Sequence, residues 1–301
     1  MIFLKKSFYP TMRSITLYIL LITFGVAAGV QAQVNFSVYE DSLARVAPSI
    51  LNAKTDSEKE AANKIFLKTI KRALEHEDSY AHPFKTLETI AILEPADGKF
   101  RLFNWNRPLN NGTYKYYCIV QTAPSRKRAS KLYIFESIEE KLPQPEMTTL
   151  NIKNWYGALY YKIIPVKSKG KRVYTLLGWD GSNRLTTKKI VDVLHFPDVG
   201  APKFGLPIFE IDDQLKSRII FEYRNMAVMS VKYYPAVKRI IVDHLSAPDA
   251  SLKGNPQFMA PDGSYDAYRF KKGKWHLEKD YNAKNDKSIT GEKYNKPKEI
   301  K

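Results

Sequence analysis

RVYTLLGWDGSNRLTTKKIVDVLHF, residues 172–196, is the stretch whose reading decides the fold class. Its two ends are runs of aromatic, β-branched and leucine side chains. Its centre, Asp180-Gly181-Ser182-Asn183, is a cluster of turn formers whose side chains bond their own backbone. Read as strand, turn, strand, the stretch predicts antiparallel β structure. The competing reading starts a helix at the Thr186-Thr187 pair, which has the right chemistry for an N-cap. Ile190, Val191 and Val193 are β-branched and stiff at χ1, which favours the strand.

The same pattern continues on both sides. FRLFNW, TYKYYCIVQ, KLYIFESI, YGALYYKIIPV, FGLPIFEI and YDAYRF are further aromatic and β-branched runs separated by turn residues. RIIFEYRNMAVMSVKYYPAVKRIIVDHL (218–245) reads as three meandering strands that turn near Arg224-Asn225 and Pro235-Ala236. YRFKKGKWHL (268–277) reads as a tight hairpin turning at Lys272-Gly273. Upstream the period changes. Leu43, Val46, Ile50 and Leu51, and then Ala61, Ile65, Phe66, Ile70 and Leu74 after the Thr55-Asp56 start signal, recur with helical spacing. A third, shorter helix is expected around Phe84 to Ile92.

The expected fold is therefore mainly β, of the α+β kind. N-terminal amphipathic helices pack on a large antiparallel β meander. So many strands strain against twist in one open sheet, so a sandwich or a distorted barrel is expected. The expected segments are 1–32 (signal peptide), 33–97 (helical), 98–280 (antiparallel β) and 281–301 (a disordered, basic tail).

Lys5, Lys6 and Arg13 precede an apolar run from Ile15 to Val30, and Val30-Gln31-Ala32 fits a cleavage site that leaves Gln33 first. Export, to the periplasm, the outer membrane or the medium, is the expectation. The chain has 48 Lys+Arg against 31 Asp+Glu, a net charge of +17. In an exported protein such a balance points to lipopolysaccharide, anionic lipid or an envelope glycan, and not to nucleic acid. The single cysteine, Cys118, is expected in the core, since one thiol forms no internal disulfide and the chain is long enough to bury a core without one.

Within GWDGSNRLTTKKI, Asp180, Ser182 and Asn183 have oxygens for a cation. A dedicated calcium loop presents more acids, and a phosphate loop places glycines ahead of one Lys-Ser/Thr pair. The ordinary turn is the stronger reading. His76 and His82 lie six residues apart, which puts them on different helix faces and argues against zinc. Asp243 and His244 are neighbours on a strand and point to opposite faces. Glu222, Asp243 and Asp192 are strand carboxylates that could serve a glycosidase, which needs only two, but the ordinary outward-facing acid is the stronger reading of each. No catalytic triad elbow, paired-cysteine or dinucleotide-binding pattern occurs, so no catalytic residue, metal or cofactor is assigned. The candidate ligand surface is Trp179, Asp180, Asn183 and Lys188 at one strand end, with Trp105 and Asn106 at an equivalent strand end, because aromatic faces beside polar groups suit sugars and peptides.

GWDGSN, IIFEYRNMAVMS and PDGSYDAYRFKKGKW together resemble an exported-protein family of Bacteroidota over about Phe100 to Asp280. The resemblance implies an envelope location and attaches no catalytic or ligand role to these motifs. The leading expectation is a non-enzymatic envelope protein that binds an anionic or glycan-rich partner. A hydrolase of envelope glycans or peptides, and a structural subunit of an envelope complex, are the alternatives.

Overall fold

The computed structural model describes residues 34–138 and 142–283. The expected signal, 1–32, and the tail from 284 onward lie outside the described residues. Two helices open the described chain, α1 (Phe36–Asn52) and α2 (Asp56–Glu75). A capping box starts α2. The Thr55 hydroxyl accepts from Glu58 N at 3.2 Å, and the Glu58 carboxylate accepts from Thr55 N at 2.9 Å. Phe66, Ile70 and Leu74 of the expected apolar stripe are buried, while Ile65 is exposed.

The expected third helix is absent. A 3-10 turn at Glu77–Tyr80 leads through short turns into a short strand, β1 (Ala91–Leu93). The reason is local: Phe84 sits at a left-handed φ of 50° that no right-handed helix admits, and the chain then closes two successive turns, Leu87 N to Phe84 O and Ile90 N to Leu87 O.

Fifteen strands form three open sheets among the described residues, and no barrel closes. The first sheet runs in chain order through β1, β2 (Phe100–Pro108), β3 (Tyr114–Thr122) and β4 (Leu132–Glu136). The second contains β5 (Leu159–Ser168), β6 (Lys171–Asp180) and β7 (Thr186–His195), with β11 (Ile219–Arg224) and the two-residue β8 (Lys203–Phe204) both paired to β7. The third contains β9 (Phe209–Ile211), β10 (Gln214–Lys216), β12 (Val231–Tyr234), β13 (Arg239–Ser246), β14 (Ala260–Lys271) and β15 (Lys274–Glu278).

Two details differ from the sequence reading. The expected three-strand meander is split: β11 pairs with β7, whereas β12 and β13 form a hairpin in the third sheet. One pairing, β15 with β9, is parallel. The expected 268–277 hairpin is present, with Lys272 and Gly273 at φ 51° and 80°, as a two-residue primed turn requires.

Packing explains the sequence pattern of the middle sheet. Tyr116, Cys118 and Phe135 of the first sheet meet Tyr160, Tyr174, Leu176, Ile190 and Leu194 of the second. The other face of the second sheet, with Val173, Leu177, Val191 and Val193, meets Ile240, Val242, Tyr268 and Trp275 of the third. A sheet covered on both faces needs apolar residues at successive positions, which is why RVYTLLGW and KIVDVLHF lack strict alternation. The helices cover the outer face of the first sheet. There Phe66 meets the Trp105 ring edge-on at 5.1 Å, and the indole N–H donates to Asn63 Oδ1 at 2.8 Å. The order of layers is helices, four-stranded sheet, central sheet, six-stranded sheet.

Candidate functional site

The quoted turn carries one wall of a polar cleft of about 580 Å3, within the range of small-ligand sites. Its central feature is a row of charges across three adjacent strands of the central sheet. Asp180 on β6 lies opposite Lys188 on β7, and Lys188 lies opposite Glu222 on β11. Directly opposed side chains in antiparallel strands project to the same face. The Lys188 ammonium is accordingly 3.7 Å from Asp180 Oδ2 and 4.0 Å from Glu222 Oε2. It also donates to the Tyr156 hydroxyl at 3.3 Å.

Local hydrogen bonds hold each acid in place. Asp180 Oδ1 accepts from the Tyr116 hydroxyl at 2.9 Å and from Ser182 N at 2.8 Å. The second bond is the Asx turn that the Asp-Gly-Ser sequence encodes, and it accompanies a φ of 54° at Ser182. Glu222 Oε1 accepts from the Thr186 hydroxyl at 2.5 Å. Asn183 closes the turn: its Oδ1 accepts from Leu185 N and Thr186 N, and its amide donates to Ser182 Oγ and Thr186 Oγ1. Burial pushes the Tyr116 and Tyr156 phenols up, and the Asp180 charge adds to both, so they stay protonated and able to donate. Gly181 is required here, because a Cβ would stand 2.2 Å from the Tyr114 ring that covers it.

Asp180, Asn183 and Lys188 all line the cleft, joined by Tyr114, Tyr116, Tyr156, Ser182 and Glu222. Trp179 does not line it, and its ring meets Tyr114 edge-on at 5.5 Å. Trp105 corrects the expectation most sharply. It is not at a strand end but inside β2, buried beneath α2 with its ring stacked on Tyr117 at 5.5 Å. A tryptophan in that interface does not reach a ligand surface. Asn106 is half-buried and lies opposite the lining residue Tyr116 in the β2–β3 register, but does not itself line the cleft.

Asp192 is also corrected. It faces the core and not solvent: fully buried, its Oδ2 accepts from the Tyr160 hydroxyl at 3.0 Å and sits 3.2 Å from Arg218 Nε. Asp243 accepts from Ser230 N, and His244 pairs with Asp266 at 2.8 Å, so the two neighbours do part to different partners. His76 bonds the Tyr39 hydroxyl and His82 meets Glu40. Among the described residues, no three His, Cys, Asp or Glu side chains are grouped to hold a metal. Cys118 is fully buried, and burial pushes its thiol well up.

Tyr116 and Tyr156 escaped the sequence reading. Tyr114 and Tyr116 alternate along β3 and therefore share a face, which was a usable signal; Tyr156 lies outside the strands and left none. Chemically, the cleft offers two carboxylate acceptors, one ammonium, several hydroxyls and three tyrosine rings, with acids outnumbering the base. No family model, no curated protein and no solved structure matches the chain.

Proposed function

We propose that this is a non-enzymatic, exported envelope protein that binds a glycan in the Asp180–Lys188–Glu222 cleft. The observation that carries the reading is the lining itself: acceptors and donors alternate around Lys188, beside the Tyr114 and Tyr156 rings. A sugar presents hydroxyls that donate and accept at once, and C–H faces that pack on aromatic rings. Two carboxylates against one lysine repel an anion, so the cleft selects the glycan half of the expected partner chemistry. An envelope location rests on the N-terminal sequence and on the resemblance to exported proteins. No described helix is long and apolar enough to cross a membrane.

The test is co-sedimentation of the full chain with purified peptidoglycan and, separately, with chitin. Binding that survives high salt and falls at least tenfold in Lys188→Met and Glu222→Gln supports the reading. Failure of the wild type to sediment with either polymer, or unchanged binding by both variants, refutes it.

The two carboxylates on one cleft also favour the hydrolase alternative. Release of soluble fragments, abolished by Asp180→Asn and by Glu222→Gln, would replace binding with catalysis. The subunit alternative gains less, because among the described residues the exposed large apolar side chains on α1 and α2 are only Val38, Leu51 and Ile65.

A further inference from the structure

Four apolar side chains from three separate segments are exposed together beside the cleft. Met226 is 93% exposed, Val228 88%, Leu185 58% and Phe258 40%. Leu185 ends the β6–β7 turn, Met226 and Val228 sit in the β11–β12 connection, and Phe258 closes a 3-10 turn at Pro256–Phe258. Backbone bonds tie the segments to one another. Asn225 N donates to Leu185 O at 2.9 Å, and Arg224 N donates to Met259 O at 3.0 Å. The Asn225 amide adds a bond to Arg184 O at 3.2 Å. The cluster is thus held by the fold, although no sequence window contains it.

Arg184 and Arg224, both exposed, flank the cluster; Arg184 donates to Asn110 O at 2.9 Å, and neither makes an ion pair with an acid among the described residues. Exposed apolar residues grouped in this way mark a contact surface. Charge chooses the occupant. A chain of net charge +17 repels a second copy of itself and is drawn to an anionic surface.

We propose that this tip is a membrane-contact surface: Met226, Val228, Leu185 and Phe258 enter the interface of an anionic bilayer, with Arg184 and Arg224 among the headgroups. Apolar side chains on loops gain by burial at the acyl boundary, and arginines gain beside anionic lipid. The proposal goes beyond the glycan reading and needs no cleft residue. It does set the cleft's place, because one turn carries Asn183 into the cleft and Leu185 to the tip. A docked protein therefore holds its cleft at the bilayer surface.

The test uses a fluorophore on Met226→Cys in the full chain. Cys118 is fully buried with its thiol pushed up, so the new thiol is labelled selectively. The control is a label on Val199→Cys, also 88% exposed but beyond the other end of β7, a strand about 30 Å long. Vesicles of phosphatidylglycerol and phosphatidylethanolamine should shift the emission at 226 to the blue and allow quenching by spin-labelled lipid, with no change at 199. Phosphatidylcholine vesicles should weaken the response, by about fivefold per arginine. Adding Leu185→Asp and Val228→Asp to the labelled chain should weaken insertion about 100-fold. The label reports the tip itself, so attachment through the N-terminal apolar run does not mimic the result. No shift at 226 on anionic vesicles, an equal shift at 199, or a shift at 226 that rises with protein concentration without lipid would each overturn the proposal. The last would make the tip a contact between copies. None of these outcomes touches glycan binding, which is read without lipid.

Discussion

Removing Arg218 should destabilise the protein severely, and removing Asp192 with it should restore much of the loss. Both side chains are fully buried. Arg218 Nε is 3.2 Å from Asp192 Oδ2, yet its N–H is not aligned for a hydrogen bond, and Nη2 finds no acceptor among the described residues. The pair is therefore held mainly by Coulomb attraction in a poorly solvated place. Arg218 Nη1 also donates to the carbonyls of Pro145 and Thr148. In Arg218→Met, Asp192 keeps the Tyr160 hydroxyl and Val193 N but loses its counter-charge. Stranding a buried charge costs about 3–5 kcal/mol, and whole domains have only about 5–15 kcal/mol. In Arg218→Met/Asp192→Asn no charge is stranded, and at least half of that loss, about 2 kcal/mol, should return. Urea denaturation followed by far-UV circular dichroism reads both, with the m-value as the check on two-state behaviour. A loss under about 1 kcal/mol in the single variant, or a double variant as unstable as the sum of two singles, would refute the argument. Pro145 lines the cleft, so the single variant should also loosen that wall and weaken glycan binding.

Three shorter predictions follow from individual contacts. Gly181→Ala drives a methyl into the Tyr114 ring, so it should cost about 1–3 kcal/mol and reduce peptidoglycan sedimentation; an unchanged midpoint would mean that the ring moves freely. Trp105→Phe leaves Asn63 Oδ1 buried without its donor and should cost about 1–3 kcal/mol, while Trp179→Phe, on a half-buried ring with no such bond, should cost less. The hydrogen bond to Asp266 raises His244 above 6.5, so its stabilising proton is fully present below pH 6.5 and is lost as pH rises through the raised value. An NMR titration should show this, and Asp266→Asn should remove it; a raised value that persists in the variant would point to another cause.

The residues alone determined most of the local structure. Thr55 and Glu58 spell a capping box whatever follows. Lys272-Gly273 spells a primed turn, and Asp180-Gly181-Ser182 spells an Asx turn, because each depends on atoms within three residues. The period of the apolar residues likewise separated two helices from a β-rich remainder. Where local chemistry was misread, at Phe84 to Ile92, the apolar content suggested a helix, but Phe84 is left-handed and the chain closes two short turns instead.

The partners across space were not legible. IIFEYRNMAVMSVKYY looks continuous, yet its two strands belong to different sheets, because the central sheet takes β11 while the third takes β12. That choice placed Glu222 beside Lys188 and joined a cleft whose acids are 42 residues apart in the chain. It also left Met226 and Val228 on the bridge between sheets. Alternation assigns a residue to one face of its strand, but only the stacking of layers says what covers that face. Asp192 was therefore read as solvated and proved buried, and Trp105 was read as a binding aromatic and proved to be the floor beneath α2. Hydrogen-bond rules act over a few residues and are written in order along the chain; burial is a property of three packed sheets and two helices, and only the folded whole decides it.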